Sequence, residues 1–211
     1  MMREVAARFI SLEGGEGAGK STQARRLAAT LRARGLGVVE TREPGGSEGA
    51  EAIRALLLDG TRDRWSLRAE ALLFAAARSD HVSRTILPAL ERGEWVVCDR
   101  FVDSSLAYQG AAGDLGVDAV RALHAFGSEG VYPDRTLLLC VDKAEGERRC
   151  RSRDGATSDR IAARGEAYHA AVEAGFRMLA EADPVRFRGI DAGGSPDIVA
   201  ARIWSSVEDL L

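Results

Sequence analysis

A chain of 211 residues, 45% hydrophobic and 29% charged, has the balance of one generous globular domain with a substantial core. Its formal net charge of −3 provides no global basic field for gripping nucleic acid. No apolar run reaches the roughly 18–20 residues that span a bilayer, and Cys98, Cys140 and Cys150 form no CxxC pair, so the chain reads as a reduced, cytoplasmic protein with no membrane partner.

Taken in chain order, short apolar runs alternate with helical stretches. A strand over 8–13 (RFISLE) meets a glycine-rich turn and a helix over 20–34. A strand over 37–42 is followed by helices over 48–58 and 66–91, and a strand over 95–99 (WVVCD) by a helix over 117–127. The strand over 136–142 leads to helices over 144–152 and 160–182, and the strand over 185–191 to a helix over 196–210, which Ser195 caps and Pro196 opens. The strand runs are rich in Val, Ile, Leu and Phe, as buried parallel strands are. Repeated β-then-α order predicts an α/β fold: a five-stranded parallel sheet covered by helices on both faces, a three-layer α/β/α sandwich. Ligands in such sheets bind beyond the carboxyl ends of the strands.

The first strand end carries the most specific signal. Gly14, Gly15, Glu16, Gly17, Ala18, Gly19, Lys20 and Ser21 fit G-x-x-x-x-G-K-[ST]. Glycines let backbone N–H groups converge on a phosphate, and the following helix offers its positive end. Lys20 then reaches the β- and γ-phosphates, and the Ser21 hydroxyl coordinates Mg²⁺. The chain has only two lysines, Lys20 and Lys143, amid abundant arginine. The phosphate loop accounts for Lys20, because arginine does not replace that compact point charge.

A phosphate loop alone leaves GTPases, motor ATPases and small-molecule kinases open. A GTPase reads guanine with an N-K-x-D loop, and this chain contains no asparagine. A motor ATPase ends its third strand with an acidic pair that activates water. Here the pair is Asp99-Arg100, an acid and a base suited to holding a second phosphate.

Three stretches sharpen the reading: CDRFVDSSLAYQG over 98–110, TREPGGS over 41–47 and LLFAAARSDH over 72–81. Together they resemble the bacterial type of thymidylate kinase over nearly the whole chain. The resemblance implies a single P-loop kinase domain over 1–211 that transfers the γ-phosphoryl group of ATP to dTMP with Mg²⁺. It also implies a homodimer in nucleotide biosynthesis, built through helices that include part of 66–91. Its nucleotide loop extends to Thr22. In the family pattern Phe74 stacks on thymine and Arg78 bonds a thymine carbonyl. Arg100 and Arg42 hold the dTMP phosphate, and Asp99 lies with Ser21 near Mg²⁺. Ser104 and Ser105 flank the base, Tyr108 crowds the sugar 2′ position, and Gln109 lines the same wall. Glu16 matches an acid near the 3′-hydroxyl.

The family's eukaryotic-like type carries arginine immediately after that acid; here the position is Gly17. The missing cation is expected from a mobile lid over about 149–160, with Arg153 the first choice for the catalytic arginine and Arg151 the second. Arg149, further back on the preceding helix, ranks below both. The lid departs from the bacterial pattern at Asp154, where Gly is usual, and at Ala162, where Glu is usual. His81, His124 and His169 lie far apart without ligand spacing and are assigned no chemistry.

Overall fold

The computed structural model describes residues 6–61, 63–154 and 160–211; side chains 153 and 154 are not among those described. Five strands, β1 (Phe9–Glu13), β2 (Val38–Arg42), β3 (Trp95–Asp99), β4 (Arg135–Cys140) and β5 (Phe187–Asp191), form one parallel sheet in the order β2-β3-β1-β4-β5. The five expected strands are present within two residues at each end. β2, at the sheet edge, is only half buried, whereas β1 is buried along its whole length.

Alternating side chains divide the core between the two faces. Ile10, Leu12, Val97, Leu137 and Leu139 pack with Leu27 and Leu31 of α1 (Lys20–Arg32) and with Val199 and Ile203 of α9 (Pro196–Ser205). Phe9, Val96, Cys98 and Leu138 face the opposite layer, which Val120 of α6 (Val117–Gly127) and Phe176 and Leu179 of α8 (Glu166–Ala182) help to fill. Three serines cap helices, Ser195 as expected and Ser47 and Ser66 besides. Ser47 accepts from Ala50 N at the start of α2 (Glu48–Leu58), Ser66 from Ala69 N at α3 (Leu67–His81), and Ser195 from Ile198 N at α9.

Three helical expectations need correction. The helix expected over 66–91 is α3, then a π-helical turn over Val82–Ile86, then α4 (Leu87–Glu91). Pro88 lies in the first turn of α4 and has no N–H to continue the ladder, and Leu87 N reaches back to Val82 O across the wider turn. The helix expected over 160–182 starts only at Glu166, because Arg160 and Arg164 turn inward to Glu70. The last helix stops at Ser205, followed by a short 3₁₀ turn over Glu208–Leu210. A fourth helical stretch was not expected: α5 (Val102–Ser105) and a π-helical turn over Leu106–Ala111. The lid expected over 149–160 begins within α7 (Lys143–Asp154), and residues 155–159 lie outside the described residues.

Candidate active site

β1 is flanked by β3 and β4, so the chain reverses its order across the sheet beside β1, and a crevice opens beyond the ends of β1 and β3. The phosphate loop follows β1. Gly14, Gly17 and Gly19 all have positive φ, and Gly19 leads directly into α1. Gly17 is required twice over. Its φ is 73°, and a Cβ there would stand 2.2 Å from Gly146 O on α7. The absent side chain is therefore what lets α7 dock against the loop.

Lys20 Nζ donates to Gly14 O at 3.1 Å and Gly15 O at 2.7 Å. Burial, and then the neighbouring Arg100 charge, lowers its pKa to about 8. Ser21 Oγ donates to the Asp99 carboxylate at the end of β3. This corner offers two hard oxygen ligands side by side, while no cluster of three or more His, Cys, Asp or Glu stands ready to cage a metal among the described residues. That donor set suits Mg²⁺, which keeps water and substrate phosphates as most of its ligands.

Immediately after β3, Arg100 adopts a left-handed φ of 68°, uncommon for a residue with a side chain. Buried Glu13 holds the turn: Phe101 N and Ser104 Oγ donate to its carboxyl at 2.7 and 2.6 Å. Burial, followed by the Asp103 charge, pushes the Glu13 pKa up to about 8. The turn aims Arg100 back over the phosphate loop, where Nη2 donates to Glu16 at 2.6 Å and Nη1 to Gly14 O at 3.2 Å. The π-helical turn over 106–111 then presents Tyr108 and Gln109. Burial raises the Tyr108 pKa to about 12, so the phenol stays neutral. Arg100 Cζ lies 5.2 Å from its ring centroid.

These parts share one cleft of ≈ 480 Å³. Glu16, Gly17, Gly19, Lys20, Ser21 and Thr22 line one end; Phe74, Arg78, Ser104, Ser105, Tyr108 and Gln109 line the other; Asp99, Arg100 and Arg42 lie between. Gly14, Gly15 and Ala18 shape the loop without lining the cleft. Arg42 is half exposed, and Glu51 accepts from it at 3.0 Å.

The described arginines of the expected lid are placed differently. Arg151 is absent from the cleft lining; its side chain is 70% exposed and 3.7 Å from Glu147. Arg149 does line the cleft and donates to Glu145 at 2.8 Å. The Arg153 side chain lies outside the described residues.

Sequence reading does not single out Glu13, Glu43 or Arg54, and it assigns His81 no chemistry. Glu43 and His81 lie 38 positions apart, and nothing in that spacing reveals that they meet. Arg54, half-buried on α2, reaches Pro44 O at 2.5 Å and lines the cleft.

A family model described as thymidylate kinase matches residues 12–203. The thymidylate kinase of Rhizorhabdus wittichii is 62% identical over 204 residues, covering 97% of this chain and 98% of that protein. That of Gluconobacter oxydans is 53% identical over 205 residues, covering 96% and 95%. Among solved structures, the crystal structure of thymidylate kinase from Ehrlichia chaffeensis matches with a TM-score of 0.77 at 30% identity, covering 96% of this chain and 99% of that one.

Proposed function

The chain belongs to the thymidylate kinase family, and we propose on that basis that it transfers the γ-phosphoryl group of ATP to dTMP, giving dTDP and ADP for dTTP synthesis. The observation that carries this reading is the single cleft joining a phosphate loop to a wall of Phe74, Arg78 and Tyr108. A phosphate oxygen of dTMP, already ionised, attacks the γ-phosphorus as the bond to the β–γ bridging oxygen breaks. No general base is needed, so the protein's work is positioning and charge.

In this reading the loop from Gly14 to Thr22 cradles the ATP phosphates, and Lys20 lies against the β- and γ-oxygens. Ser21 and Asp99 would hold Mg²⁺, which when bound neutralises charge on those phosphates. Arg100, with Arg42, draws the dTMP phosphate into line. Phe74 stacks on the thymine ring, Arg78 donates to a thymine carbonyl, and Ser104, Ser105 and Gln109 complete the wall. Tyr108 presents ring bulk to the sugar, and Glu16 faces its 3′ side. A lid arginine supplies the cation that Gly17 lacks. Arg149 has the support of lining the cleft, while Arg153 and Arg151 retain the support of the family pattern.

Two further expectations belong to this proposal. The protein is a homodimer: Leu72 of α3 and Phe126 of α6 are 55% and 93% exposed on helices that pack against each other, an apolar surface suited to a second copy. It works in the cytoplasm, supported by three free thiols and by the lack, among the described residues, of any helix long and apolar enough to cross a membrane.

ADP release measured with dTMP, dUMP, AMP, GMP and CMP in turn tests the function. Release driven most by dTMP is expected; preference for a purine nucleotide overturns it. Sedimentation at micromolar concentration tests the dimer.

A further inference from the structure

Arg78 sits at the wall of the cleft with most of its guanidinium already committed. Nε donates to Glu43 Oε2 at 2.7 Å, and Nη2 donates to Ser105 Oγ at 2.8 Å and Phe101 O at 3.4 Å. Among the described residues no protein acceptor meets Nη1 within hydrogen-bond distance, and Arg78 lines the cleft. Nη1 is therefore the nitrogen left to read a ligand.

What keeps it so is Glu43. A carboxylate beside a guanidinium prefers the two-toothed arrangement, with both oxygens on two nitrogens. Here Glu43 gives Arg78 only Oε2, because Oε1 is taken by His81 Nδ1 at 3.1 Å. His81 is fully buried at the end of α3, and its other nitrogen, Nε2, meets Thr41 Oγ1 of β2 at 2.7 Å. With Thr41 donating to Nε2 and Nδ1–H donating to Glu43, both nitrogens of His81 and both oxygens of Glu43 are satisfied. The neighbouring backbone closes around the ring. Gly46 has φ 87°, a Cβ there would stand 2.4 Å from both His81 Nε2 and Thr41 Oγ1, and Thr85 Oγ1 donates to Gly46 O at 2.7 Å.

We propose that His81 is a positioning residue for acceptor-base recognition: by occupying Glu43 Oε1 it keeps that carboxylate on Nε alone, so that Nη2 stays with Ser105 and Phe101 and the guanidinium presents Nη1 to the carbonyl of a pyrimidine. The proposal rests on the function assigned above and deepens it. Without the imidazole, Glu43 Oε1 loses its donor and turns to Nη2, on the same edge of the guanidinium as Nε. The guanidinium then leaves Ser105 and rotates, and Nη1 loses its aim at the base. The phosphate loop touches none of these atoms, so the donor nucleotide is unaffected.

The test is steady-state kinetics on His81→Phe, His81→Asn, Arg78→Ala and the His81→Phe/Arg78→Ala double variant. For His81→Phe, KM for dTMP rises about tenfold, the worth of one well-made hydrogen bond. Its kcat and its KM for ATP stay within about threefold of wild type on the same grounds. His81→Asn, whose amide N–H replaces the Nδ1 donor, recovers most of that loss. In the Arg78→Ala background the histidine substitution adds less than about twofold, since its effect passes through Arg78.

Equal changes in kcat and both KM values, an unchanged KM for dTMP, or full additivity with Arg78→Ala would each overturn the proposal. If His81→Phe does not fold, Thr41→Val carries the test, because it removes only the hydroxyl that orients the ring. A KM for dTMP raised about threefold is expected from that weakened bond, and an unchanged one overturns the proposal. Wild-type protein that fails to phosphorylate dTMP would instead refute the functional reading, a separate outcome.

Discussion

The two ends of the cleft are made in different ways. The phosphate loop is one contiguous segment whose work is done by backbone: positive-φ glycines, the entrance of α1, and a lysine buried against its own loop carbonyls. The opposite wall is made by side chains from three distant segments, 41–46, 74–81 and 100–109, held by buried charge pairs and hydrogen bonds. A backbone site tolerates almost no change in residue type but is compact. A side-chain site can be retuned one contact at a time, and each of its contacts depends on the others.

The largest break in that contrast is expected at Lys20. Lys20→Ala removes the one positive side-chain charge of the loop and lowers kcat about 10²–10³-fold, the usual cost of losing a preorganised charge at a transition state. Circular dichroism should remain that of the wild type.

The lid arginines follow. Arg149→Ala is expected to cost about a thousandfold in single-turnover transfer, at the low end of arginine-finger effects. Exposed Arg151 should cost only a few-fold, because its partner is a surface Glu147. A large loss in Arg153→Ala with none in Arg149→Ala would restore the order expected from the family pattern.

Gly17→Ala tests whether loop and α7 act as one. The left-handed backbone costs a side chain about 1–2 kcal/mol, and the new methyl must displace Gly146. A tenfold or so loss of kcat with a smaller change in dTMP affinity is the expected result. An unchanged kcat would show that α7 docking is dispensable.

On the other wall, Arg78→Ala leaves Glu43 buried without its cation. A destabilisation of about 3 kcal/mol is expected in urea titration, with a rise in KM for dTMP larger than that for ATP.

The smallest effect is a proton. Lys20 has a pKa lowered to about 8 in the folded protein against 10.5 for the free side chain. Between those values the unfolded chain binds more protons, so this group makes folding more favourable as pH rises through the window, and its charging costs the folded state below it. Phosphate charge draws the pKa back up. Nucleotide binding near pH 8 should therefore take up about half a proton, and near pH 6 none. Calorimetry in buffers of different ionisation enthalpy reads this directly, and Lys20→Met should abolish it.

The alternation of apolar runs and helical stretches was enough to predict a parallel five-stranded sheet. The glycine pattern before Lys20 located the phosphate loop, because a tight anion-binding turn needs particular residues at consecutive positions. The DRFVDSSLAYQG stretch marked the acceptor wall through its family likeness, with no sign that residues 102–111 are helical. The strand order, the π-helical turns and the choice of Arg149 for the cleft came only with the tertiary structure. So did the role of His81, which sequence spacing had left without chemistry. Glu43 meets Arg78 across 35 positions, and Glu16 meets Arg100 across 84. Local patterns are written in neighbouring residues because backbone conformation is decided there. A buried charge pair is decided by whichever partner the packed sheet brings within reach, and no spacing along the chain records that.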